Sequence, residues 1–175
     1  ERVLAIQGIA SISTRVVERV SLPLDNLAEP ATGHILSLPA RGEAVLGGIL
    51  LRTGRMFEPG RSDEVVLLEA FAVAQGLEVG DRLPAVIAGI RRELRIVGTA
   101  LSPEYVFSVS PGEMMPDPGR FAVLWMDAPV VTAAFRIEGA WNDLLVRLQP
   151  NAAEHLVIEK LNRLLEPYGC TGAHG

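Results

Sequence analysis

The longest apolar run in this chain, Ala44 to Leu51, is broken by Gly47 and Gly48. No run approaches the roughly 20 residues that a helix needs to cross a bilayer. Yet 49% of the 175 residues are apolar, too many for a disordered segment. The core must therefore be assembled from short pieces that meet in space, and the length suffices for one domain or two small lobes.

Those pieces are mostly strands. In 12–24, Ile12, Val16 and Val20 share one parity and Arg15, Val17 and Arg19 the other, which predicts one extended strand with a wet face. A loop over 25–33 and a second strand, His34 to Leu38, complete a hairpin. Residues 40–63 are poorly periodic and read as a link between lobes. Glu64 to Leu68 predicts a strand and Glu69 to Gln75 a two-turn helix stopped by Gly76. Arg82 to Ala88 and Arg92 to Ala100 predict a hairpin turning at Gly89. Four prolines make 101–119 a long irregular loop, a kind that is often functional. Phe121 to Met126 and Trp141 to Leu148 are further strands, and Pro129 to Phe135 a short helix. The chain opens on the end of a helix, Glu1 to Gln7, stopped at Gly8. It closes on an amphipathic helix, Ala152 to Tyr168, with Leu156, Ile158, Leu161, Leu164 and Leu165 on its apolar face and Asn151 as N-cap.

Chemistry is harder to find. His34, His155 and His174 form no HxH or HExxH arrangement and Cys170 has no CxxC partner, so no metal site is read. One cysteine allows no internal disulfide. The only lysine, Lys160, lies in no phosphate-binding loop, and there is no GxGxxG. There is no GxSxG; Ser102, Ser108 and Ser110 have no histidine near them in sequence. A net charge of -5 argues against a nucleic-acid binder. No catalytic residue and no cofactor are assigned: the pattern is of a chain that binds, couples or spaces.

Three surfaces are candidates for partner or substrate contact, one of them the exposed face of the last helix. Arg91 and Arg92, with Arg95, sit at a hairpin and read either as a soluble tip or as a contact for anionic lipid headgroups. Tyr105, Phe107, Met114 and Met115 in the long loop read either as a partner surface or as a lid over the core.

A resemblance bears on these alternatives. Gly54-Arg55 to Gly60, then Glu64 to Ala72, then Gly76 to Leu83, then Arg95-Ile96-Val97-Gly98-Thr99-Ala100 resembles the extracytoplasmic (periplasmic core) domain of MacB-like and FtsX-like ABC-transporter permeases. Ser102 to Val106 is similar to the loop of lipoprotein-export-like members, and Ile6 to Val16 to the entry from the first membrane helix. The resemblance implies an α+β fold in two lobes: a mixed α/β lobe of 1–50 and 121–175, and an inserted β-rich lobe of 51–120. It implies a domain outside the cell inner membrane, facing the periplasm, inserted between membrane helices of the same permease chain. A cytoplasmic ABC ATPase would drive it indirectly, alongside a second permease copy or partner subunit, with a lipoprotein or periplasmic adaptor as partner. The absent initial Met and the unpunctuated end fit a segment of a longer protein. The alternative is a freestanding periplasmic binding or adaptor module without catalytic activity.

Overall fold

The computed structural model describes residues 2–39, 46–105 and 117–173. The chain divides into two compact units, Arg15–Asp143 and Glu1–Thr14 with Leu144–Gly175.

The larger unit is organised by β7, Ile90–Leu101. Its first half pairs antiparallel with β6, Arg82–Ile87, from Ile87↔Ile90 to Arg82↔Arg95. Its second half pairs in parallel with β5, Glu64–Leu68, and antiparallel with β4, Leu50–Gly54. β5 continues antiparallel to β8, Phe121–Asp127, and β8 in parallel to β3, Ala31–Leu38. β3 forms a hairpin with β2, Val17–Leu22, and Ser21 of β2 meets Val86 of β6. The order β4-β7-β5-β8-β3-β2-β6, with β6 returning to β7, closes the sheet on itself.

Two strands of this sheet are buried on both faces. In β5, Val65 and Leu67 enter one apolar cluster while Val66 and Leu68 enter another. In β8, Ala122, Leu124 and Met126 join the first cluster and Phe121, Val123 and Trp125 the second. The two-residue period of a strand sends alternate side chains to opposite faces, so a strand buried on both sides reads as an unbroken apolar run. The helices α1, Glu69–Gln75, and α2, Ala128–Phe135, follow β5 and β8 directly and add Phe71, Ala72 and Val131 to the first cluster. Both end in a left-handed residue, Gly76 and Arg136, whose following amide returns to a carbonyl five residues back: Leu77 to Ala72 and Ile137 to Thr132, each at 2.9 Å.

The smaller unit pairs β1, Ile9–Arg15, with β9, Asp143–Leu148, and adds α3, Glu154–Leu165. Its core is Val3, Ile9, Val157 and Leu161, flanked by Val146 and Leu148.

The expected lobes, 1–50 with 121–175 and 51–120, divide the chain differently from these two units, and β3 and β8 of one lobe share a hydrogen-bonded sheet with β5 and β7 of the other. Several expected elements need correction. The single strand over 12–24 is two strands in different sheets. The break falls at Val16, where the amide donates to Ser37 Oγ at 2.8 Å and the carbonyl accepts from the Ser37 amide at 2.9 Å. α3 begins after Ala153, not at Ala152, because Asn151 sits at φ 66° in a turn. Val157 and Leu161 are its buried residues, while Leu156 is exposed. Residues 2–7 are turns, and 50–54 of the expected link is a strand.

The closest backbone approach lies between β4 and β7. Gly54 pairs with Gly98, and a Cβ at Gly98 would meet the Arg55 carbonyl at 2.5 Å and the Thr53 carbonyl at 3.0 Å. Neither neighbour is a flexible side-chain end. Gly98→Ala should therefore destabilise the protein by about 2 kcal/mol or more, read as a lower urea midpoint with an unchanged slope; an unchanged midpoint would show that the two strands separate at no cost.

Candidate functional site

Among the described residues of the larger unit three charged groups are buried, Glu64, Arg15 and Asp127, and each pins a chain segment. The first is Glu64, at the start of β5 and 2% exposed. Arg55 grips it with both terminal nitrogens, at 2.9 and 2.7 Å, and the Glu58 amide donates to it at 3.0 Å. The Arg55 hydrogen bonds hold the Glu64 carboxyl at about 2, against the upward push of burial, with further help from the Glu58 amide and the Arg61 charge. At the far end of the same loop the Gly60 amide donates to Asp127 Oδ2 at 2.6 Å. Gly54, Arg55, Gly60 and Glu64 of the sequence pattern are thus parts of one loop anchorage.

The second is Arg15, 7% exposed. Its Nε donates to Asp143 Oδ2 at 2.6 Å, and its terminal nitrogens to the two Glu104 oxygens at 3.0 and 2.5 Å. Burial alone would lower the guanidinium pKa. The Glu104 hydrogen bond and the charges of Asp143 and Glu104 outweigh it and raise the value, so Arg15 stays charged. Beside this trio, Asn142 imitates a strand: its Oδ1 accepts the Val17 amide at 2.8 Å and its Nδ2 donates to the Val17 carbonyl at 2.9 Å.

The sequence-derived candidates are dispersed. Tyr105 ends a single 3-10 turn, Pro103–Tyr105, and packs half-buried on the second cluster, where burial pushes its hydroxyl above the usual range. Phe107, Met114 and Met115 lie outside the described residues. Arg91 and Arg92 are parted by the strand period. Arg91 is exposed and shares its side of β7 with Arg95, which stands opposite Arg82. Arg92 instead lines a cavity of about 10 Å³ with Ile35, Ser62 and Val131 of the first-cluster side, too small to seat more than a water. The hairpin between β6 and β7 turns at Ala88 and Gly89, both with positive φ, the geometry that suits the twist of paired strands. Among the described residues no three His, Cys, Asp or Glu side chains gather as for a metal. Cys170 is exposed, and no helix there is long and apolar enough to cross a membrane.

Arg15, Glu104, Asn142 and Asp143 were not legible as a group. Each reads alone as a wet-face arginine, a loop acid or a strand opener, and their separation in sequence carries no local signal.

The fold has known counterparts. The structure aligns with the extracellular domain of the noncanonical ABC-type transporter YknZ from Gram-positive bacteria, over 94% of this chain and 81% of that one, at a TM-score of 0.51 and 11% identity. The chain has the fold of that extracellular domain. Weaker likenesses are to the periplasmic region of MacB from Actinobacillus actinomycetemcomitans, at a TM-score of 0.49, 15% identity and 95% and 71% coverage, and to a domain of a protein assigned as a permease from Porphyromonas gingivalis, at 0.45, 19%, 93% and 72%. No protein-family model matches the sequence, and no curated protein sequence matches it. The mixed α/β architecture and the extracytoplasmic permease-domain fold expected from the sequence pattern are therefore found, at a level of identity where only fold persists.

The Glu64 anchorage has a pH signature. Its folded pKa, about 2, lies below its ordinary 4.5, so it stabilises the fold fully above the unfolded value and the benefit fades as pH falls through the folded one. Glu64→Gln should cost about 2 kcal/mol at neutral pH and flatten the stability profile between about pH 5 and pH 2; denaturant titrations across that window check both, and parallel profiles for the two proteins would exclude Glu64 as the titrating group.

Proposed function

We propose that the chain is an extracytoplasmic domain of an ABC-transporter permease subunit. There it couples ATP-driven movement of the membrane helices to export or extraction of a substrate. The observation that carries this reading is the likeness to the YknZ extracellular domain across nearly the whole chain. The permease-like sequence pattern supports it. So does the folding of the two end segments into one unit, as an insertion between two membrane helices requires. The partners are then the membrane helices of the same chain, a cytoplasmic ATPase acting through them, and a second permease copy or partner subunit, at the inner membrane and facing the periplasm.

In this role the domain needs no reaction centre. It contacts a lipoprotein, a periplasmic adaptor or another substrate through surface residues. The outward arginines Arg91 and Arg95 supply a basic patch for an anionic partner. Phe107, Met114 and Met115, following Tyr105, supply apolar contacts.

The intact gene tests the reading directly. Apolar stretches of about 20 residues before Glu1 and after Gly175 are expected; a cleavable signal peptide before Glu1 with a stop codon soon after Gly175 would replace it with a freestanding periplasmic adaptor. Within the transporter, Phe107→Ser with Met115→Ser should lower transport while the domain stays folded, and undiminished transport would remove that loop as a contact.

A further inference from the structure

Arg15 and Asp143 are the first and last residues of the larger unit, so both passages of the chain into and out of it run through this pair. They are joined by a hydrogen bond of 2.6 Å. The opposite edge of the same guanidinium holds both oxygens of Glu104, in the turn that follows β7. Glu104 and Asp143 are each partly open to water, while Tyr105, next to Glu104, packs on the second cluster. Next to them β2 is held on one side by its backbone ladder to β3 and on the other by the side chain of Asn142.

Water can replace bonds to such partly wet carboxylates more readily than it can part the apolar clusters that hold the sheet together. A guanidinium bound by two carboxylates through different edges also has geometry that a point charge lacks.

We infer that Arg15 is a clasp that ties the two chain passages at Arg15 and Asp143 to the turn Pro103–Tyr105, and that opens as a unit while the sheet stays closed. The clasp stands on geometry alone. Its consequence rests on the proposed function: motion arriving along the two ends of the chain reaches the 103–105 turn through Arg15.

Hydrogen exchange by mass spectrometry on this chain tests the clasp. In Arg15→Met the Val17 and Tyr105 amides, bonded to Asn142 and to the Ser102 carbonyl, should exchange about tenfold faster, roughly the loss of one charge-assisted contact. Amides of β5 and β8 should not change. Arg15→Lys should restore protection only in part, because an ammonium keeps the charge but cannot offer Glu104 two parallel N–H donors while a third N–H holds Asp143. Full rescue by lysine, or unchanged exchange at Val17 and Tyr105, would overturn the clasp. Should Arg15→Met fail to fold, Glu104→Gln decides: selective loosening at Tyr105 supports the clasp, and uniform loosening of the sheet refutes it. In the intact transporter, Arg15→Lys should lower transport while ATP hydrolysis persists. Undiminished transport with a loosened clasp would refute the coupling consequence and leave the clasp standing.

Discussion

The closed sheet depends on β7 having three partners. β6 takes its first half, β5 and β4 its second, and the division falls near Arg95, which faces Arg82 on one side and Glu64 on the other. A strand shared in this way must bend and shift register. The ladder to β5 slips between Val65 and Val66, and that to β4 between Leu51 and Thr53. Gly98 lies within this irregular stretch, where β4 comes too close for a side chain. Without that approach β4 would lose its ladder, and with it the anchorage of the loop that leads to Glu64.

Burial on both faces then sets the chemistry of the strand ends. β5 and β8 carry almost nothing polar except at their termini, where Glu64 begins one and Asp127 ends the other. Buried carboxylates are costly unless they are paired or hydrogen-bonded. Each is answered from the loop between β4 and β5, by Arg55 and by the Gly60 amide. The glycines and the arginine of the permease-like pattern serve this purpose.

Legibility in the sequence followed how local each feature is. The strand Glu64–Leu68, the helix Glu69–Gln75 and its Gly76 stop were readable because an apolar run, a helical segment and a left-handed cap each declare themselves within a few residues. The break at Val16 was not: Ser37 makes it, from another strand. Nor was the division into units, since a parallel pair such as β3–β8 joins residues about ninety apart in sequence with no turn to announce it. The Arg91-Arg92 pair was visible as charge, but the strand period separated it, sending one arginine to solvent and the other against α2. Arg15 was assigned to a wet face by alternation; its partners, Glu104 and Asp143, lie far along the chain.

That last misreading bears on why a charge stands at the chain passages at all. An apolar contact there would have been simpler, since a buried ion pair returns little net stability once its desolvation is counted. It would also have been indiscriminate, holding equally well in several registers. Arg15 accepts one arrangement, with Asp143 on Nε and Glu104 on the terminal nitrogens, and each partner is still partly open to water. A contact of this kind fixes where the passages sit when closed and is readily solvated when they part. The sheet behind it, closed through β7 and packed on both faces, has no comparable seam. The clasp we infer thus lies where the chain enters and leaves the larger unit, at a contact that water can replace, and not within the packed sheet.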